Sequence, residues 1–182
     1  AEVVPIVQRK LITLCRQYSK LCIVATQMMA SMVDNPEPTR AEVSDVATAV
    51  ILGADAVMLS DETANGKYPI EAIKEMKKVI LYTQANSKIS AIESEPVGEY
   101  HNYDAIARAA VQMAEQLEAD LIVTATKSGA TAAAIAAQRP NIPTLSLTSD
   151  PRVAGQLALA YSYVSFVRPY DENYAFDLAQ EL

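Results

Sequence analysis

Between Val24 and Pro69 the chain reads VATQMMASMVDNPEPTRAEVSDVATAVILGADAVMLSDETANGKYP. Two short apolar runs, Leu21–Ala25 and Asp55–Leu59, lie on either side of one amphipathic helix. A hydroxyl residue follows each run, Thr26 after the first and Ser60 after the second. Strands joined through a helix run parallel, and parallel strands need cover on both faces. The stretch therefore commits the chain to an α/β architecture, in which reactive groups gather beyond the carboxyl ends of the strands.

The flanking pattern extends the same rhythm. Val3 to Tyr18 reads as an amphipathic helix with Ile6, Val7, Leu11 and Leu14 on one side. Met28 to Val33 has room for one helical turn before Pro36 and Pro38 interrupt it. Thr39 and Glu42 form a T-x-x-E capping box, Val43, Val46, Ala47 and Val50 give the next helix its apolar face, and Gly53 ends it. Pro69 opens a third helix, in which Ile73, Met76 and Ile80 recur at helical spacing.

From about Ser87 to Asn102 periodicity fades while Ser, Glu, Pro96 and Gly98 accumulate, which reads as a linker. A second α/β series follows. Its predicted order is a helix over Tyr103–Leu117 with Ile106, Ala110, Met113 and Leu117 inward, then a strand over Asp120–Ala125. A helix over Thr131–Gln138, a strand over Thr144–Leu147 and a helix capped by Asp150 with Pro151 come next. A strand over Tyr163–Val167 and a helix from Asp171 close the series. The expected domains are residues 1–86, a linker at 87–102, and residues 103–182. The first unit offers only two strands, too few to bury both faces of a parallel pair, so it reads as part of a larger barrel. The second offers three strands with helices between them, closer to a self-sufficient layered sheet.

Charge narrows the partners. Residues 1–86 carry nine Lys/Arg against ten Asp/Glu, but residues 87–182 carry six against twelve. That acidic half argues against nucleic acid and anionic membrane as partners. No apolar run reaches the roughly 18–20 residues that span a bilayer. Cys15 and Cys22 form no CxxC pair and the single His101 is distant in sequence, so a metal site made by this chain alone is not expected; both thiols read as reduced and buried.

Three places carry candidate chemistry. Thr26 leaves the first strand with a hydroxyl that can donate to a carboxylate or join a proton relay, although as pattern alone it reads first as a cap. Ser60 to Lys67 leaves the second strand; Ser60, Glu62, Asn65 and Lys67 form a candidate nucleotide-side loop, and no G-x-x-x-x-G-K-[ST] is present. Capping and loop bracing are the plainer reading of Ser60, Glu62 and Thr63. Thr126-Lys127-Ser128-Gly129-Ala130-Thr131 lies between a strand and a helix start, where backbone N–H groups and hydroxyls favour an anion such as phosphate. A plain hydroxyl-rich cap is the alternative there.

Taken together these residues closely resemble the pyruvate kinase family. VATQM, NPEPTRAEVSDVATAV, GADAVMLS, ETA and YPIEA occur in the family's order and spacing, followed by TKSGAT and RPNIPTLSLTSDPRVAGQLAL. The resemblance implies the last βα units of a (β/α)8 barrel followed by a three-layer α/β/α domain with a mainly parallel sheet. It implies phosphoryl transfer from phosphoenolpyruvate to ADP, giving pyruvate and ATP at the end of glycolysis. Mg²⁺ or Mn²⁺, K⁺, a cytoplasmic homotetramer and a sugar-phosphate or AMP effector come with it. Thr26 matches the substrate-contacting threonine, placed near the enolate carbon and the carboxylate. Thr126, Lys127, Ser128, Gly129 and Thr131 match the effector phosphate loop.

The departures also matter. Asp61 stands where the family usually has glycine, and Asn65 where many members have lysine. The family's catalytic lysine, metal carboxylates, K⁺ ligands and phosphoenolpyruvate arginine precede the matched segment. The chain is therefore expected to be partial and inactive alone. The alternative is a stand-alone regulatory module that binds a phosphorylated metabolite.

Overall fold

The computed structural model describes residues 2–89, 102–169 and 180. The helix expected from Asp171 and most of the expected linker lie outside the described residues. The chain divides into two compact units, residues 1–13 with 22–91, and residues 14–21 with 92–182.

In the first unit β1 (Ile23–Val24) pairs in parallel with β2 (Ala56–Val57), with Ile23 opposite Ala56 and Val24 opposite Val57. Between them run a 3₁₀ turn (Ala30–Val33) and α2 (Arg40–Leu52). Thr39 caps α2 as the sequence indicates. Its hydroxyl accepts from the Glu42 N–H at 3.3 Å, and the Glu42 carboxylate accepts from the Thr39 N–H at 2.7 Å. Gly53, at φ 84°, ends the helix in the left-handed region. After β2 come a single helical turn, α3 (Asp61–Ala64), which the polar sequence there did not announce, and α4 (Pro69–Asn86). The core is rich in methionine: Met28, Met29, Met32 and Met76 pack with Val46, Ala49 and Ala72. Unbranched thioether side chains fill the irregular space between the short strands and the helices around them.

In the second unit β3 (Ile122–Ala125), β4 (Thr144–Thr148) and β5 (Tyr163–Val167) form a parallel sheet in that order. Helices α5 (Asn102–Gln116), α6 (Ala130–Ala137) and α7 (Pro151–Leu157) accompany it. The central strand β4 is almost wholly enclosed, yet its sequence is TLSLT. Its hydroxyls are paired: Thr144 donates to the Ser162 carbonyl at 2.5 Å, and Ser146 meets Ser165 at 2.7 Å. Among the described residues no buried side-chain nitrogen or oxygen lacks a hydrogen-bond partner, so these polar groups avoid the penalty of dry, unpaired burial. Both sheets are parallel and helix-linked, as an α/β reading requires.

Helix faces depart from expectation. In α1 (Val4–Gln17), Ile6, Val7 and Leu11 are exposed, whereas Ile12 and Arg16, one turn apart, are buried. In α5, Ile106 and Met113 are exposed, as is Leu117 just past its end, whereas Ala107 and Val111 are buried. The cause in α5 is its neighbour. The helix packs on α6, whose sequence ATAAAIAA offers a nearly smooth surface, and small Ala107 lets the two backbones approach. In α4, Ile73 is exposed while Ala72 and Met76 are buried. Periodicity shows that a helix is amphipathic; the shape of the covering surface selects the residues that are buried. Cys15 and Cys22 are free thiols, half-buried rather than enclosed.

Candidate functional site

The first candidate site is built at the carboxyl ends of β1 and β2. Because the strands are adjacent and parallel, Thr26 and Ser60 leave the same end of the pair. Both are exposed. Thr26 and Gln27 have φ values of 72° and 54°. Two consecutive non-glycine residues in the left-handed region, the first of them β-branched, carry strain on the order of 1–3 kcal/mol each. No sequence pattern signalled this, since glycine would be the ordinary residue at such a bend.

What holds the bend is visible. Immediately after it, Met28 and Met29 are buried in the core. The Met29 N–H donates at 3.1 Å to Glu62 Oε1, and the Ser60 N–H donates at 2.8 Å to Glu62 Oε2. One carboxylate thus ties the loop after β1 to the loop after β2. Glu62 is only 2% exposed. Burial alone pushes its carboxyl up, but the N–H groups of Ser60, Glu62 and Met29 outweigh that and hold it below the ordinary 4.5. Of the four residues expected on a nucleotide-side loop, Glu62 therefore faces inward as a brace.

The other members of that loop are fastened outward. Lys67 forms a 2.8 Å ion pair with Asp34, with both side chains largely exposed, and its N–H donates to the Val33 carbonyl at 2.8 Å. Such a pair contributes little to stability in water. Asn65 donates to Asp61 at 3.3 Å. The turn before α2 is braced in a similar way: Glu42 also accepts from the Ser31 N–H at 2.7 Å and from its hydroxyl at 2.5 Å. Its carboxyl, raised by burial, is brought below the ordinary value by the Ser31 and Thr39 donors.

The second candidate site is the connection from β3 to α6. Thr126 continues the sheet by donating its N–H to the Leu147 carbonyl at 2.9 Å. Its buried hydroxyl accepts from the Gly129 N–H at 2.9 Å, and the Ser128 hydroxyl accepts from the Ala130 N–H at 3.4 Å. Gly129 sits at φ 85°, and a Cβ there would lie 3.3 Å from Val153 Cγ1. Only glycine combines that dihedral with that contact. Lys127 and Ser128 are exposed, and Thr131 is half-buried on the first turn of α6. The structure therefore brings all five expected residues together, with Thr126 as an internal staple. An incoming anion would compete with Thr126 for the Gly129 N–H.

Among the described residues there is no group of three or more His, Cys, Asp or Glu side chains that could hold a metal ion. Among the described residues, no helix is long and apolar enough to cross a membrane.

Comparison with known proteins gives two family matches. "Pyruvate kinase, barrel domain" covers residues 1–73, and "Pyruvate kinase, alpha/beta domain" covers residues 104–180. A pyruvate kinase of Agrobacterium vitis is 44% identical over 175 residues, which is 95% of this chain and 37% of that protein. One from Geobacillus stearothermophilus is 42% identical over 172 residues, 93% of this chain and 29% of its own length. The crystal structure of a pyruvate kinase from Cryptosporidium parvum superimposes with a TM-score of 0.91 at 34% identity, covering 100% of this chain and 38% of that one. The chain thus spans well under half the length of the relatives it matches.

Proposed function

The chain belongs to the pyruvate kinase family, and on that premise we propose that it supplies part of the apparatus that transfers a phosphoryl group from phosphoenolpyruvate to ADP. The observation that carries the reading is the shared end of β1 and β2, where a strained, exposed Thr26 stands beside the Ser60 loop and Glu62 locks the two connections together.

In this reaction the phosphoryl group leaves the enol oxygen for the terminal phosphate of ADP, and the enolate carbon takes up a proton to become the methyl group of pyruvate. Thr26 is suited to the second half. Its hydroxyl can donate to the substrate carboxylate or hand on a proton, and its fixed backbone removes the cost of orienting it during the reaction. Glu62 acts as a positioning residue: it reaches no substrate but fixes Met29 and Ser60, and through them both loops.

Mg²⁺ or Mn²⁺ and K⁺ belong to the same reading. Divalent ions neutralise charge between donor and acceptor phosphates. The described side chains do not form a set fit to hold them, so their ligands are assigned to other parts of a longer protein, and the 182 residues alone are expected to be inactive. A cytoplasmic homotetramer under allosteric control completes the proposal, with Thr126–Thr131 gripping the phosphate of a sugar-phosphate or AMP effector.

A chimera tests this: the present chain replaces the matching segment of the Agrobacterium vitis relative, and pyruvate formation is followed. Turnover is expected, with Thr26→Val lowering kcat by about 10²-fold. A folded chimera without turnover, or an unimpaired Thr26→Val variant, contradicts the proposal.

A second reading, a free-standing regulatory module, draws on the second unit. Its core of Ala107, Val111, Ile135, Val153 and Leu157 is built within that unit, and Lys127 and Ser128 of the β3–α6 loop are exposed. Calorimetry with sugar phosphates and AMP, against Lys127→Ala, separates the cases. Binding that is lost in the variant supports the module, and equal binding by both proteins removes Lys127 from the site.

A further inference from the structure

The second unit also holds a cleft of about 290 Å³ that shares Ser128, Gly129 and Ala130 with the phosphate loop at one edge but extends from there to Tyr18–Leu21 and Gln156, which neither the phosphoryl-transfer chemistry nor that loop accounts for. We propose that this cleft is a separate binding site for a small planar organic acid, held by an apolar body contact and by the Lys20 ammonium.

The wall is a preformed turn. Lys20 N–H reaches back to the Cys15 carbonyl at 2.8 Å and ends α1, with Ser19 in the left-handed region at φ 51°. The Ser19 hydroxyl donates to Asp104 Oδ1 at 3.2 Å, which fixes the turn against α5. Tyr18 and Leu21 on this turn are 48% and 42% exposed, yet both line the cleft. Large apolar side chains left open inside a concavity mark a binding surface more than they do on a convex one. Tyr103 adds a second ring to the lining.

The floor makes the room. Ala130 and Ala133 from α6 and Ala160 beyond α7 line it, and their short side chains leave the space that larger residues would fill. The volume lies at the small end of the range for ligand pockets, enough for a body of about ten non-hydrogen atoms.

Charge selects an acid. Residues 87–182 are strongly acidic as a whole, with six Lys/Arg against twelve Asp/Glu. Among the described residues, those lining the cleft nevertheless include one cation, Lys20, and no carboxylate. The Gly129 and Ala130 N–H groups at its edge are already paired with Thr126 and Ser128 hydroxyls. An anion in the cleft would have to displace those hydroxyls to reach the helix start, whereas the Lys20 ammonium, absent from the phosphate loop, needs no such displacement.

The test is a two-dimensional NMR titration of the full 182-residue chain with benzoate, benzyl alcohol and inorganic phosphate as separate probes. Benzoate is expected to shift Tyr18 to Leu21, Ala133 and Gln156, and benzyl alcohol to bind several-fold more weakly. Lys20→Ala should weaken benzoate by about 2–5-fold, the effect of one exposed charge. Ala133→Leu, which fills the floor, should abolish binding, and Lys127→Ala should leave it unchanged. Benzoate shifts confined elsewhere, equal affinity for the alcohol together with an inert Lys20→Ala, or loss of benzoate binding in Lys127→Ala would each overturn the proposal. So would inorganic phosphate reproducing the benzoate shifts. The Lys20→Ala exchange is a surface change, so the proposal stays testable even where Ala133→Leu disturbs folding. Because Lys127 reads the phosphate loop and Lys20 the cleft, failure of one assignment leaves the other standing.

Discussion

The two units solve the same problem, covering parallel strands, with different means. In the first, Ile23 is 46% exposed on a ladder only two residues long, and order is imposed from the loops by the buried carboxylate of Glu62. In the second, β4 is central in its sheet and Thr144, Ser146, Leu147 and Thr148 are all at most 1% exposed. One unit is held by charge-assisted bonds to backbone N–H groups, the other by enclosure of a hydroxyl-lined sheet. The contrast shows where each unit is vulnerable, and why the strained, exposed Thr26 falls in the unit with the thinner sheet.

The largest expected effect is local to the first unit. Glu62→Ala strips the acceptor from the buried Met29 N–H and the part-buried Ser60 N–H at once and should cost about 3 kcal/mol. Urea unfolding followed by residue-resolved NMR should show the loss in residues 22–89 and little change in the sheet of the second unit. An equal loss in both would erase the contrast. Next comes Gly129→Ala, which forces a side chain into the left-handed region and against Val153; about 1–2 kcal/mol should be lost, this time from the second unit alone. Thr39→Ala removes one cap from α2 and should cost about 1 kcal/mol in the first unit, read from the same unfolding curves.

The gentlest perturbation changes only pH. Glu62 and Glu42 have folded-state pKa values below the ordinary 4.5, so the stability they contribute is whole above that value and is lost as pH falls through the depressed ones. Tyr163 behaves in the opposite sense. Burial pushes its phenol from 10.0 up to about 12, against a smaller opposing effect of the Thr124 hydrogen bond. Its stabilisation is whole below 10 and is lost as pH rises toward 12. The first unit should therefore loosen first on the acid side and the second on the alkaline side. Hydrogen exchange at the two pH extremes checks this, and the reverse order would break the comparison.

Much of this was legible in the residues. The Thr39–Glu42 box and the cap pairing Asp150 with Pro151 are local chemistry, fixed within four residues, and both form as written. Apart from α3, the order of the described strands and helices followed from period together with caps and breakers. The buried faces of α1 and α5 did not, because burial depends on the partner: alanine-rich α6 takes Ala107 rather than Ile106. The brace by Glu62 was also hidden. An acidic residue in a polar loop looks solvated, and only the pairing of β1 with β2 brings Met29 within its reach. Likewise Thr26 was singled out for its hydroxyl, while its backbone strain, a second mark of the same site, leaves no trace in sequence.

The central claim is that Thr26 works at the shared rim of β1 and β2 in phosphoenolpyruvate chemistry. Its most direct test is steady-state pyruvate formation by the chimera, by its Thr26→Val variant, and by the 182-residue chain alone. The account expects turnover from the first, a loss of about 10²-fold in kcat from the second at unchanged stability, and none from the third. A Thr26→Val variant as fast as its parent, or robust turnover by the chain alone, would contradict it.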